Sequence, residues 1–187
     1  MMPKPICIDL FCGYGGWARG FLDAGYRVIG FDNEPKCAKY YPGEFVLADL
    51  RDFNFRMMAY GIQVIVASPP CQRFSLARPD LRNPEEGMTL VRAAVKIIHE
   101  AKPKFWCIEN VRGAREAISK ELGEPVRHGP WYLWGRFPGF IAPIMDKGFK
   151  HIPGERSRYL RRGSSDARKL GSIPYPLARA LAEACKP

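Results

Sequence analysis

Five apolar runs of five to nine residues, each closed by glycine, proline or a polar side chain, alternate with stretches of helical spacing. They are PICIDLF (5–11), YRVIGFD (26–32), FVLAD (45–49), IQVIVASPP (62–70) and FWCIEN (105–110), and WYLWGRF (131–137) reads as a sixth. Continuous rather than alternating apolar character suits strands covered on both faces, as in a mostly parallel sheet. Between the runs, Trp17–Ala24 reads as a helix, and Asn83–Ala101 sets Met88, Val91, Val95 and Ile98 at helical spacing. Pro176–Cys185 repeats that pattern with Leu177, Ala180, Leu181 and Ala184. The expected class is α/β: a Rossmann-like, mostly parallel sheet with helices on both faces. Ligands bind such sheets at the carboxyl ends of the strands. The polar punctuation falls there, at the Gly13 loop, Asp32, Asp49, Ser68–Cys71 and Glu109–Asn110.

A chain of 187 residues has room for one substantial core, so a single domain over 1–187 is expected. No apolar run approaches the roughly 20 residues of a membrane-spanning helix, and the start lacks a signal-peptide core. A soluble cytoplasmic protein with no membrane partner is the expectation. The six cysteines show no paired spacing for a metal, so they read as reduced thiols with no metal site. The net charge is +10, and it is uneven: residues 101–187 hold 17 Lys and Arg against 8 Asp and Glu. Residues 138–172 lack firm periodicity and read as a basic loop or irregular hairpin. Residues 146–169 alone carry eight cations, among them Arg158, Arg161 and Arg162. A basic excess in one half fits either a nucleic-acid face or an ordinary solvated surface.

The glycines of DLFCGYGG (9–16) follow a strand and open a helix, where Gly13, Gly15 and Gly16 permit tight turning and close approach to a ligand. The spacing is not GxGxxG and no Walker lysine follows, which argues against a phosphate cradle. Asp32, ending the second run, suits ribose hydroxyls, and Asp49 suits an adenine amino group. An adenosine ligand without phosphates fits this set better than a dinucleotide or ATP.

SPPCQRFS (68–75) follows the fourth run directly. Its two prolines stiffen the backbone and present Cys71 at a strand terminus, where a thiol of lowered pKa can act as a nucleophile. A structural cysteine beside a proline turn is the plainer alternative.

DLFCGYGG, SPPCQRFS and Glu109-Asn110-Val111 resemble, in order and approximate spacing, three signature motifs of DNA cytosine-5 methyltransferases. IPYPLARALAEA (173–184) and HGPWYLWGRFP (128–138) resemble segments of small phage-type members. The resemblance implies a class I methyltransferase fold, S-adenosyl-L-methionine as cofactor, and a DNA cytosine flipped out of the helix as substrate. It implies Cys71 as the nucleophile toward C6 and Glu109 as the group stabilising charge on the ring. It assigns Phe11, Gly13, Gly15, Gly16, Asp32, Asp49 and Leu90 to the cofactor, although Leu90 also reads as a core leucine. Gln72 and Arg73 would open the loop that closes over DNA, with Arg78 and Arg82 as further phosphate contacts.

Two departures from the family stand out. Larger members carry a paired-arginine motif after ENV, and no such pair is in register here; Arg127, His128 or Arg136 can stand in for it. Only about forty residues (137–173) occupy the place of a large target-recognition domain. Arg158, Arg161 and Arg162 can contact phosphate there, but little surface is left to read bases, so low or very short sequence specificity is expected. Nothing in the sequence asks for more than a monomer. Cytosine-5 methylation of RNA and a non-catalytic nucleic-acid-binding subunit on the same fold remain as alternatives. Amino methylation is disfavoured, because Cys71 stands where that chemistry needs an aromatic residue.

Overall fold

The computed structural model of the protein describes residues 3–55, 61–75, 79–142 and 173–187. Among the described residues, seven strands form one sheet: β1 (Ile6–Leu10), β2 (Arg27–Asp32), β3 (Glu44–Leu47), β4 (Ile62–Ala67), β5 (Phe105–Asn110), β6 (Val126–His128) and β7 (Trp131–Arg136). Their spatial order is β3-β2-β1-β4-β5-β7-β6. Neighbours from β3 through β5 are parallel, whereas β7 runs antiparallel to both β5 and β6. The reversal from β1 outward to β2 on one side and β4 on the other makes a switch point, where such sheets open a ligand crevice.

The period of two along each strand sorts the core into layers. Cys7, Val64, Val66, Cys107 and Leu133 face α1 (Gly16–Asp23) and α4 (Tyr175–Ala184), packing on Trp17, Phe21, Leu177 and Leu181. Ile8, Leu10, Phe31, Ile65 and Ile108 face the opposite side, against Ala94, Ile97 and Ile98 of α2 (Pro84–Ala101). A third cluster joins Met88 and Val91 of α2 to Ile118 of α3 (Arg115–Leu122) and to Tyr132 and Trp134 of β7. Each large side chain so buried contributes about 1.5–3 kcal/mol.

Helix α2 starts where the sequence says it should. Asn83 accepts a hydrogen bond from the Glu86 backbone N–H (3.2 Å), Pro84 occupies the first turn, and Glu85 and Glu86 complement the helix dipole. Helices α1 and α4 cross with almost no side chain between them. A Cβ on Gly20 would lie 2.5 Å from the Ala178 carbonyl carbon, and one on Gly16 would lie 2.7 Å from the Ile173 nitrogen. The seam is fastened by Tyr26 Oη donating to the Ala182 carbonyl (3.1 Å), Gln63 Nε2 to the Cys185 carbonyl (2.7 Å) and Tyr175 Oη to Asp23 (2.8 Å).

The α/β expectation and the mostly parallel sheet agree with these elements. Three details differ. The run at 131–137 is the antiparallel strand, and the short β6 and α3 flank it unforeseen. Strand β3 stops at Leu47, so Asp49 lies two residues beyond the strand instead of at its end. Of the expected basic loop at 138–172, residues 143–172 lie outside the described residues, and the remainder has no regular structure. Among the described residues, no helix is long and apolar enough to cross a membrane.

Candidate active site

The glycine loop leaves β1 through a chain of left-handed residues: Phe11 (φ 55°), Gly13 (φ 50°) and Gly15 (φ 81°). Asp32, at the end of β2, holds this loop. Its Oδ2 accepts from the Gly13 N–H (3.0 Å) and its Oδ1 from the Glu34 N–H (3.0 Å). Each carboxylate oxygen keeps further acceptor capacity, so Asp32 can still receive ribose hydroxyls. No atom lies within 4 Å of where a Cβ on Gly13 would be, which leaves open space beside the loop. Gly15 and Gly16 are crowded by Pro42 and Ile173, and a small residue is already required there by packing.

Asp49 is partly exposed and ion-paired to Arg51, whose backbone N–H also donates to it (3.0 Å). The guanidinium and that N–H hold its carboxyl down at about 2. It is a permanent anion, and an adenine amino group must share it with Arg51. Phe11 packs half-buried on the α2-side core. Leu90 is half-buried on α2. The open loop, the acceptor carboxylates and the flanking apolar groups fit an adenosine-type cofactor, and nothing in the set offers phosphate a positive cradle.

Cys71 lies just past β4 in a tight turn. Its carbonyl accepts from the Phe74 N–H (3.0 Å) and the Ser75 N–H (3.0 Å). Phe74 is fully buried, with its ring over Gly87 of α2, where a Cβ would sit 2.6 Å from it. The turn is thus pinned from below, and Cys71 on it is half-buried. Asn110 ties the other side: its Nδ2 donates to the Pro69 carbonyl (3.0 Å), and its Oδ1 accepts from the Val111 N–H (2.9 Å).

Glu109 precedes Asn110 and points to the α1 side of the sheet, 7% exposed. Burial pushes its carboxyl up to about 7, against the opposing pull of a hydrogen bond from the Ser68 hydroxyl. Ser68 Oγ in turn accepts from the Trp17 indole N–H (3.0 Å). The Cys71 thiol is raised above its ordinary value, first by burial and then by the Glu109 charge. The two groups therefore share one field, and neutralising Glu109 favours the thiolate.

The profile of the family described as "C-5 cytosine-specific DNA methylase" matches residues 6–123. The chain belongs to that family. The matched stretch runs from β1 through α3 and includes Asp32, Asp49, Cys71 and Glu109. The chain is 29% identical over 202 aligned residues to the type II methyltransferase M.XorII of Xanthomonas oryzae pv. oryzae, covering 95% of this chain and 45% of that protein. It is 32% identical to M1.HphI of Haemophilus parahaemolyticus, covering 90% and 47% respectively. The chain thus spans about half the length of these relatives. A solved structure titled as a DNA modification methyltransferase encoded within an E. coli prophage superposes with a TM-score of 0.53 at 19% identity, covering 71% of this chain and 47% of the other, which supports the fold.

The expected nucleic-acid contacts fare unevenly. Arg73 is tied to Glu86 (2.8 Å) and the Leu81 carbonyl (3.3 Å), so it braces the Cys71 turn against α2. Gln72 and Arg82 are exposed near that turn. Arg127 lies against the Tyr132 ring (5.8 Å) and donates to the Gly129 carbonyl (2.8 Å). It pairs in register with Tyr132, which belongs to the α2-side core, so it stands on the opposite face from Glu109. Arg136 donates to the Pro103 carbonyl (2.6 Å), and His128 stacks on Phe140 at 4.5 Å. Arg127 and Arg136 thus stand on the face away from Glu109, apart from where paired arginines would flank it. Arg78, Arg158, Arg161 and Arg162 lie outside the described residues. The sequence reading missed the side-chain roles of Trp17, Ser68 and Asn110, because their partners are 51 and 41 residues away along the chain.

Proposed function

We propose that the protein methylates C5 of cytosine in DNA through a covalent adduct between Cys71 and C6. The observation that carries this reading is the pairing of a half-buried thiol with a buried carboxyl whose pKa is near neutrality, on adjacent strand ends.

C5 of cytosine is a weak nucleophile. The Cys71 thiolate forms a bond to C6, and the ring electrons move toward C5 and N3. Protonated Glu109 hydrogen-bonds N3 and accepts from the N4 amino group, stabilising the charge that develops. When bound beside Asp32 and Asp49, S-adenosyl-L-methionine supplies a methyl group activated by its sulfonium. Removal of the C5 proton by water then restores the double bond and expels Cys71 as thiolate. The target base must leave the duplex to reach Cys71. The short stretch of about forty residues between the ENV half and the closing helix (137–173) supports low or very short sequence specificity.

The test is incubation of purified protein with labelled cofactor and matched DNA and RNA, followed by bisulfite sequencing of the product. Label in DNA at many cytosine contexts is the expected result. Label in RNA alone would overturn the substrate assignment, and methylation of only one site of four or more base pairs would overturn the specificity.

A further inference from the structure

The turn that carries Cys71 is held at its far end by α2. The Phe74 and Ser75 N–H groups both donate to the Cys71 carbonyl (3.0 Å each), so residues 71–75 form one closed turn. The Asn83 N–H, at the cap of α2, donates to the Arg73 carbonyl (2.9 Å). Beside it the Phe74 ring lies so close to Gly87 that a Cβ there would meet Cζ, Cε2 and Cε1 at 2.6, 2.7 and 2.9 Å. Gly87 is the fourth residue of α2, where glycine is less stable than alanine, and its φ is not left-handed. The approach of the ring is what requires a glycine. Nor can the ring swing aside, because Phe74 is fully buried in one cluster with Met88, Val91, Ile118 and Trp134. Val111, two residues past Glu109, packs against that same cluster. The thiol turn and the acid strand therefore rest on one close-packed support.

We propose that Phe74 and Gly87 are positioning residues for methyl transfer: the ring, seated on the bare Cα of Gly87, sets where the Cys71 turn stands relative to Glu109. The inference rests on the reading of Cys71 as the nucleophile. A methyl group at position 87 lifts the Phe74 ring, and the two bonds to the Cys71 carbonyl carry that displacement to the thiol. A misplacement of about 1 Å at the reacting atoms costs about 10²-fold in rate. Neither residue touches substrate, so the cost falls on the chemical step and leaves binding nearly unchanged.

Gly87→Ala, Phe74→Leu and the double variant are compared with wild type in steady-state methylation, with folding checked by circular dichroism. Gly87→Ala should lower kcat about 10²-fold, with KM for DNA and for cofactor changed less than about twofold. Phe74→Leu removes the ring atoms that meet Gly87 and should cost about tenfold in kcat. The added methyl then fills the room the ring has left, so the double variant should recover to about the level of Phe74→Leu alone. A wild-type kcat in Gly87→Ala, or losses that simply add in the double variant, would overturn the proposal. Should Gly87→Ala fail to fold, Phe74→Leu decides: the tenfold loss at unchanged KM supports the proposal, and an unchanged kcat overturns it. If wild type forms no 5-fluorocytosine adduct at Cys71, the reading beneath the proposal has failed. Iodoacetamide alkylation of Cys71, read by peptide mass spectrometry, then still reports the coupling. It should run about threefold faster in Gly87→Ala, as the turn lifts, and return to near wild type in the double variant. Equal rates in all three would overturn it.

Discussion

The two walls of the crevice are built in different ways. The wall formed by β1, β2 and β3 rests on backbone: left-handed glycines, Asp32 bonded to two main-chain N–H groups, and a helix seam where Gly16 and Gly20 touch the start of α4. The wall formed by β4 and β5 rests on side-chain bonds, from Trp17 to Ser68 and from Asn110 to Pro69. Their carboxylates differ accordingly. Asp49 is held at about 2 by Arg51, whereas burial lifts Glu109 to about 7. One wall offers fixed charge for binding, and the other offers a proton that can move near neutral pH. Ligand recognition needs the first property and acid catalysis needs the second.

The sharpest way to break this contrast is Glu109→Gln. It should lower kcat by about 10²–10³-fold, with a smaller change in cofactor KM, because the acidic proton that stabilises charge in the transition state is replaced by a far less acidic amide N–H. The same variant tests the pKa as a stability statement. The folded pKa of Glu109 lies above the ordinary glutamate value of about 4.5, so ionising it costs stability as pH rises from about 4.5 through about 7. Glu109→Gln should therefore be more stable than wild type at pH 8 by about 3 kcal/mol and show little gain at pH 4, measured by urea unfolding.

The other wall should fail by volume before it fails by charge. Gly20→Ala places a Cβ against the α4 backbone and should lower stability by about 2 kcal/mol, read in the same urea experiment. Asp32→Asn should raise cofactor KM about tenfold, since one anionic acceptor for the loop and ligand becomes neutral. Asp49→Asn should raise it about threefold, because Arg51 already screens that carboxylate. Cofactor binding should stay flat from pH 5 to 8 while kcat bends near 7, which isothermal titration and rate profiles can compare.

Much of this was legible in the residues. The continuous apolar runs marked β1 to β5, and the polar residues closing them marked the crevice, including Cys71 and Glu109. The three-residue β6 lacked any periodic signal because Pro125 and Gly129 bracket it. Helix α3 has only a short apolar stripe, around Ile118 and Leu122, between charged residues. The roles of Trp17, Tyr41 and Asn110 depend on contacts made after folding. Tyr41, for example, crosses Gly30 to donate to buried Asp9 at 3.1 Å, a contact 32 residues apart in sequence. Arginine side chains were the least legible. Arg73 and Arg127 were expected at nucleic acid, and local acceptors hold both.

The central claim is that Cys71 is the nucleophile. Trapping with a 5-fluorocytosine oligonucleotide at saturating cofactor, followed by peptide mass spectrometry, tests it directly. The account predicts a stable protein–DNA adduct on the peptide containing Cys71, absent in Cys71→Ser. An adduct on another residue, an adduct that survives Cys71→Ser, or no adduct at all would contradict it.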